Sequence, residues 1–215
     1  MTYKMKVSSS KENILKKIRQ ALSNAVPVPF PKSEGNNSVY QQPYDDLEVQ
    51  FAEEFTRLLG KFAFCVNEAD LSKQLQLLLT EKKWDNIYCN EENLFHLISN
   101  SAPYQVDKST LSGCDASVTT CEYLIARTGT IVMSTAQTSR SVSVYAPVHI
   151  CIAYSDQLVY DIKEALQLLK EKYQGNIPSS ITFASGPSRT ADIEKTLVVG
   201  VHGPKEVYLF MVDKS

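Results

Sequence analysis

The residues best suited to bind a small anion lie near the C-terminus, directly after an apolar run. The run ITFAS (181–185) leads into Gly186 and Pro187, and hydroxyl and guanidinium side chains come next. A guanidinium is a planar fork of N–H donors that matches a carboxylate or phosphate, and neighbouring hydroxyls add further donors. The segment therefore predicts an anion site that includes Ser188, Arg189, Thr190 and Asp192, with His202 and Gly203 just before the last predicted strand.

Two further segments place hydroxyl side chains beside a predicted strand. Thr128, Gly129 and Thr130 form a sharp turn before the strand IVM, and Arg140 ends the loop STAQTSR that follows it. Loops beyond the carboxyl ends of strands line the ligand crevice of α/β sheets. We therefore expect these four residues to join the same anion site. A simple tight turn into a buried strand is the other interpretation of TGT.

Glu122 is the candidate for acid–base or nucleophilic chemistry. Residues 114–127 have a pattern that allows a helix, and Glu122, seven residues before Gly129, fits the first turn of a helix directed at the edge that holds Gly129. A glutamate can form a covalent acyl intermediate or act as a base when it lies in a pocket. An exposed glutamate at the start of a helix is the alternative, since acidic residues favour that position.

Several motifs that would fix the chemistry are absent from the sequence. Neither GxGxxG nor GxxxxGK[ST] occurs, which disfavours a nicotinamide dehydrogenase or a P-loop NTPase. GPSRT lacks the second glycine of a GxSxG nucleophile elbow. The three histidines are far apart and the cysteines have no iron–sulfur spacing, so we expect neither a metal site nor a resident cofactor.

Helical and strand patterns alternate from Asp45 onward. Strands free of charge, such as ITFAS and VYLFMV (207–212), fit a sheet that is covered on both faces. We predict an α/β fold, a three-layer α/β/α sandwich with a mostly parallel sheet, over residues 45–215. Both named strands are expected in the interior of one sheet.

Residues 1–44 form a separate predicted region. Ser9 and Glu12 have the spacing of a capping box, and apolar residues then follow at helical spacing to about residue 23. Four prolines in the next stretch prevent a regular element. We predict an N-terminal helix on a Pro-rich tether, with its apolar stripe packed on this chain or on a second copy in a homo-oligomer.

Composition excludes several broad classes. The 215 residues carry 22 Lys and Arg against 24 Asp and Glu, a net charge of -2. This balance disfavours nucleic acid and polybasic membrane contacts. No stretch has the length and apolarity of a membrane span. Five cysteines without a CxxC pair, in a chain without a secretory signal pattern, predict reduced thiols and a cytoplasmic location.

The motifs GPSRTADIE (186–194) and VVGVHGP (198–204) resemble the signature of the LUD-domain family, which includes lactate utilisation protein C. IARTGTIVM (125–133), Arg140 and the later His149 also fit that pattern. The resemblance implies a fold like that of NagB, RpiA and CoA transferases. It also implies a link to growth on L-lactate alongside iron–sulfur partner proteins. Arg127 departs from the family, where an acidic residue usually precedes Thr-Gly-Thr.

Three functional hypotheses follow. The leading one is a component of L-lactate utilisation, or of a related 2-hydroxy or 2-oxo acid, that binds a small carboxylate or phosphate while iron–sulfur oxidoreductase subunits carry the redox centres. The second is a non-catalytic assembly or regulatory subunit. The third is an enzyme that uses CoA or a sugar phosphate, with Glu122 as nucleophile or base.

Overall fold

The computed structural model describes residues 12–14, 16–17, 19–20, 46–99, 105–107, 110–193 and 196–214. The chain divides into two compact units, Met1–Gln42 and Pro43–Ser215. In the first unit the described residues are helical and exposed, and Ile14 shows 56% of its surface. Most of the predicted apolar stripe and the whole Pro-rich tether (24–44) lie outside the described residues.

A six-stranded parallel sheet forms the centre of the second unit. Its order is β1-β12-β7-β4-β2-β3, and all five pairs of neighbouring strands in it are parallel. Long apolar strands lie in its interior, since β12 pairs with β7 along seven residues, from Glu206 opposite Val148 to Val212 opposite Tyr154. The strands are β1 (Lys61–Cys65), β2 (Asn86–Tyr88), β3 (Gln105–Asp107), β4 (Ala116–Thr119), β7 (Val148–Tyr154) and β12 (Glu206–Val212).

A second sheet of four strands has the order β8-β5-β6-β9. Strand β6 is antiparallel to β5 and β9, and β8 is parallel to β5. A separate antiparallel hairpin consists of β10 and β11. These strands are β5 (Tyr123–Ile125), β6 (Thr130–Ser134), β8 (Leu158–Val159), β9 (Ile181–Ala184), β10 (Arg189–Ile193) and β11 (Thr196–Val199).

In the described part of the second unit, five α-helices accompany these strands, and polar side chains cap several of them. Asp46, Asn67 and Asp161 each accept a backbone N–H at a helix start, which satisfies donors that have no partner within the helix. The helices are α1 (Leu47–Arg57), α2 (Glu68–Lys82), α3 (Glu92–Ser99), α4 (Arg140–Tyr145) and α5 (Ile162–Lys172). No helix in the described part of the chain combines the length and the apolarity that crossing a membrane requires.

The layers follow from the alternation of side chains along the central strands. Along β12, Tyr208 and Phe210 join the core beneath α2 and α3, whereas Leu209 and Met211 join the core beneath α1 and the second sheet. A third core, which includes Leu169 of α5, packs on the outer face of the second sheet. Burial on both faces explains why the central strands are apolar throughout. The predicted α/β class, with a mostly parallel sheet flanked by helices, is confirmed.

Two predictions about individual elements are wrong. Residues 114–127 contain β4, β5 and a 3-10 turn (Ala126–Thr128), so Glu122 does not lie on a helix. The run ITFAS does not share a sheet with VYLFMV, because β9 is an edge strand of the second sheet and Phe183 is 38% exposed. Short apolar runs have no period that separates helix from strand, and they do not specify which partner strand they meet.

Candidate functional site

The C-terminal end of α1 gathers several of the predicted anion-binding residues. Gly129, with φ of +54°, lies so close to α1 that an added Cβ would be 2.4 Å from the Phe55 nitrogen. The Thr130 hydroxyl lies 2.7 Å from the hydroxyls of both Thr128 and Ser185. The TGT turn is therefore both a tight turn and a packing contact, and its hydroxyls meet at this end of the second sheet.

Arg189 reaches the same end of α1. Its Nη2 donates to the carbonyl oxygen of Leu58 at 3.4 Å, and the residue is otherwise exposed. An added Cβ at Gly186 would lie 2.4 Å from that same oxygen, so Leu58 fixes the start of GPSRT. A cation is favourable at a helix C-terminus, where carbonyl groups lack helical partners. We call Thr128, Thr130, Ser185 and Arg189 the arginine–hydroxyl cluster.

This cluster lies at the amino edge of the central sheet, where the parallel strands begin. Leu58 comes shortly before β1, and the N–H of Ser188 donates to the carbonyl of Pro204 at 2.9 Å, shortly before β12. The remaining predicted residues surround this edge. Thr190 pairs with Val198 in the hairpin, Gly203 packs on Ser188, His202 is exposed, and Asp192 lies in β10, where only its backbone is described.

Arg140 lies elsewhere. It starts α4, and Thr138, two residues earlier, donates a hydrogen bond of 3.3 Å to Asn90. Asn90 follows the end of β2, so it marks the carboxyl edge of the central sheet, where the parallel strands end. The structure therefore does not bring Arg140 and Arg189 into one pocket, and the prediction that both arginines share an edge is wrong.

Glu122 lies between β4 and β5, and its side chain has no exposed surface. Its carboxylate accepts hydrogen bonds from Lys172 Nζ at 2.7 Å, from the Tyr173 hydroxyl at 2.6 Å and from Ser134 Oγ. The backbone N–H of Glu122 donates to Val132 at 2.7 Å. The carboxylate thus ties the second sheet to the end of α5.

These contacts keep Glu122 ionised. Burial raises the pKa of Glu122, but hydrogen bonds from Lys172, Ser134 and Tyr173 outweigh burial and lower it. For Lys172, burial alone would lower the pKa, but the contact with the Glu122 carboxylate has the larger effect, so the pKa of Lys172 is raised overall. A buried carboxylate is tolerated when it is paired and hydrogen-bonded in this way. Oε1 accepts two hydrogen bonds, Oε2 is paired with the Lys172 ammonium, and the side chain has no exposed surface, so this arrangement favours a role in holding the fold over attack on a substrate.

Lys172 and Tyr173 were not predicted as partners of Glu122. Tyr173 fits the apolar stripe of its helix, which is typical of a packing residue, and Lys172 fits an exposed face. Whether Lys172 and Tyr173 reach Glu122 depends on which strands α5 packs against, and the local sequence pattern does not specify that packing. The signal that pointed toward this region is the hydroxyl-rich loop that begins at Ser134.

A second buried polar group lies on the central sheet. His149 Nε2 is 2.8 Å from the hydroxyl of Thr119, on the neighbouring strand β4. Burial lowers the pKa of His149 to about 4, so the imidazole is neutral near pH 7. Within the described part of the chain, no group of three or more His, Cys, Asp or Glu side chains is placed to hold a metal ion.

Comparison with known proteins fixes the family. A family model of the LUD domain matches residues 6–212 of this chain. The chain belongs to the LUD domain family. A crystal structure of a DUF162 family protein from Deinococcus radiodurans is similar with a TM-score of 0.59 and 20% sequence identity. That likeness covers 77% of this chain and 96% of the other, and it extends to the fold alone.

Curated relatives of this LUD domain share one part of the chain. Lactate utilization protein C of Bacillus licheniformis is 40% identical over 101 residues, which are 45% of this chain and 42% of that protein. Lactate utilization protein C of Deinococcus radiodurans is 35% identical over 104 residues, 47% of this chain and 48% of that protein. The matched region thus spans less than half of the length of each of these relatives.

Proposed function

We propose that this LUD-domain chain is a component of the utilisation of L-lactate, or of a related 2-hydroxy or 2-oxo acid. In this proposal it binds a small carboxylate or phosphate at the arginine–hydroxyl cluster. Relatives named lactate utilization protein C support the pathway, at 35–40% identity over about half of this chain. The motif GPSRT, which supplies Arg189, supports the site.

The observation that carries the proposal is that Arg189 and Gly186, the neighbour of Ser185, both lie against the carbonyl oxygen of Leu58. One guanidinium nitrogen donates to Leu58, and the side chain is otherwise exposed at the amino edge. The hydroxyls of Thr128, Thr130 and Ser185 are hydrogen-bonded to one another, which uses two of their three O–H donors and leaves one for a ligand. A guanidinium fork with nearby hydroxyls fits the two oxygens of a carboxylate. Because the net charge is -2, the attraction is local and not a long-range field.

We assign the redox centres to partner proteins, as iron–sulfur oxidoreductase subunits. The five cysteines of this chain form no disulfide with one another and are buried in the fold. Burial raises the pKa of Cys65 to about 11 and that of Cys151 well above its usual value. The thiolate is the form that binds iron or attacks a substrate, so the thiols of Cys65 and Cys151 are poorly suited to either task.

The geometry of Glu122 favours this proposal over acyl transfer from CoA. A nucleophilic carboxylate needs an oxygen that is free to attack. Oε1 of Glu122 accepts two hydrogen bonds, from Tyr173 and Ser134, and Oε2 is held by the Lys172 ammonium. Acyl transfer would require these partners to leave a carboxylate that has no exposed surface.

Growth of a deletion strain tests the proposed pathway. We expect the organism that encodes this chain to lose growth on L-lactate, but not on glucose, when the gene is deleted. A plasmid copy of the wild type or of Arg140→Ala should restore growth, and Arg189→Ala should restore it poorly. Growth of the deletion strain on L-lactate at the wild-type rate would rule the proposal out.

A further inference from the structure

A polar cavity of about 490 Å³ lies at the carboxyl edge of the central sheet, opposite the edge that holds Arg189. Asn90, Glu91, Glu92 and Asn93 line it from the loop and helix after β2, and Thr120 lines it from the loop after β4. The carboxylate of Glu92 is exposed and lies 3.4 Å from His96. Its volume falls within the range of about 300–1,000 Å³ that is usual for small-molecule sites. In α/β sheets this edge is where ligands commonly bind.

Glu91 is held in a fixed orientation by one neighbouring residue. Its Oε1 accepts the backbone N–H of Thr120 at 3.0 Å, and its Oε2 accepts the Thr120 hydroxyl at 2.5 Å. An ionised carboxylate offers about four acceptor positions, so each oxygen keeps one for a further donor. Glu91 therefore presents a pair of oriented acceptors to the cavity.

Amide side chains supply the other hydrogen-bonding groups. The Oδ1 of Asn90 accepts from the Thr138 hydroxyl at 3.3 Å, which leaves its NH2 group as the donor toward a ligand. The amides of Gln137 and Gln157 both donate to the carbonyl of Cys121, at 3.3 and 2.6 Å. These two contacts fix the loop that carries Thr120 and Cys121, so the cavity wall is preorganised.

The lining offers both donors and acceptors, and none of the described residues that line it is a Lys, Arg or His. An anion would meet Glu91 and the exposed Glu92 without a cation in the lining to balance them, which is unfavourable. An ammonium ion has donors alone and would leave the amide NH2 groups unmatched. A hydroxyl group both donates and accepts, so several hydroxyls on one molecule match this mixture.

We propose that this cavity binds a neutral polyhydroxylated small molecule, such as a sugar or polyol, whose adjacent hydroxyls donate to Glu91 and accept from Asn90. Burial raises the pKa of Glu91, and the nearby charge of Glu122 adds to it, although the contacts with Thr120 act in the opposite direction. A hydroxyl can pair with either protonation state of Glu91, whereas a cation requires the carboxylate.

Calorimetry with D-ribose, D-glucose and myo-inositol on the full chain tests this proposal. We expect at least one of them to bind, and Glu91→Gln to weaken that binding by about tenfold or more, since one acceptor oxygen becomes an NH2 donor, which matches neither the Thr120 donors nor a donating hydroxyl of the ligand. Glu53→Gln is the matched control, because it removes one carboxylate charge at an exposed position of α1. This variant should bind the same sugar or polyol as tightly as the wild type does. Arg189→Ala should also bind normally, because it alters the opposite edge.

A second variant separates binding from folding. Asn93 is exposed on α3 and lines the cavity, so Asn93→Trp should fill the site without disturbing the core and should abolish binding. Circular dichroism checks that each variant is folded. The proposal is overturned if no sugar or polyol binds, if binding survives both Glu91→Gln and Asn93→Trp, or if putrescine or phosphate binds there in place of a polyol.

Discussion

Arg189 and Arg140 show how the fold decides what a residue can do. Both follow strand-like runs in hydroxyl-rich segments, and the sequence treats them alike. In the fold, Arg189 contacts Leu58 at the amino edge of the central sheet. Arg140 starts α4, and the segment just before it lies at the carboxyl edge. Glu122 gives a similar lesson, because its surroundings come from Lys172 and Tyr173, about fifty residues later in the chain.

Removing the partner of Glu122 should destabilise the domain. Lys172→Met leaves a buried carboxylate without its cation, which costs several kcal/mol in a fully buried pair. Because Lys172 is 46% exposed, we expect about 1–3 kcal/mol at pH 7. At pH 5 the loss should be smaller, since the unpaired Glu122 can take up a proton. Urea unfolding at both pH values measures this.

Lys170→Met is the matched control, because Lys170 is exposed on the same helix. It should change stability by less than about 0.5 kcal/mol. Equal losses for Lys170→Met and Lys172→Met would show that the Glu122 contact does not contribute to stability.

His149 should make stability depend on pH. Its folded pKa of about 4 lies below the unfolded value of 6.5, so the unfolded state binds more protons between these values. Stability should therefore fall as the pH is lowered from 6.5 to 4, by up to about 3 kcal/mol from this group. His149→Gln should flatten the dependence in that window. The control His96→Gln, at an exposed histidine, should keep the wild-type dependence of stability on pH. The same dependence in His149→Gln would contradict a contribution from His149.

At the scale of the elements, the local sequence pattern predicts whether a segment is a helix or a strand better than it predicts which strand that segment pairs with. Apolar runs in the sequence mark β1, β2, β6, β7 and β12 as strands, and apolar residues at helical spacing mark α1, α2 and α5 as helices. Residues 114–127 were interpreted as a helix because the short strands β4 and β5 are buried and show no alternation of period two. The second sheet was not predicted, since β9 reaches β6 only through long-range pairing.

The contact between the TGT turn and α1 should be sensitive to a single methyl group. Gly129→Ala adds left-handed backbone strain and places a Cβ against the α1 backbone, so we expect a loss of more than about 2 kcal/mol. Gly113→Ala has a comparable positive φ, but no atom lies within 4 Å of the added Cβ. It should cost about 1 kcal/mol, from strain alone. Urea unfolding measures the free energy of unfolding of both variants. Equal losses in Gly129→Ala and Gly113→Ala would show that the contact with α1 does not contribute to stability.

At the scale of the whole molecule, the family model spans residues 6–212, whereas the compact units divide after Gln42. Deleting residues 1–40 should leave a cooperatively folding domain, because the central sheet and its helices all lie in the second unit. The predicted apolar stripe before residue 24 favours association, so the deletion should also shift the oligomeric state. Thermal unfolding and light scattering measure both effects. Loss of cooperative unfolding would contradict the two-part organisation.

Calorimetric titration of L-lactate, pyruvate and inorganic phosphate tests the central claim most directly. We expect at least one of these anions to bind the wild type and Arg140→Ala equally. Arg189→Ala should weaken that binding about ten- to a hundredfold, since a charge-assisted hydrogen bond contributes roughly 1.5–3 kcal/mol. Arg189→Lys should recover only part of the loss, because an ammonium lacks the planar fork. Binding that is unchanged in Arg189→Ala, or no binding of any of the three anions, would contradict an anion site at the arginine–hydroxyl cluster.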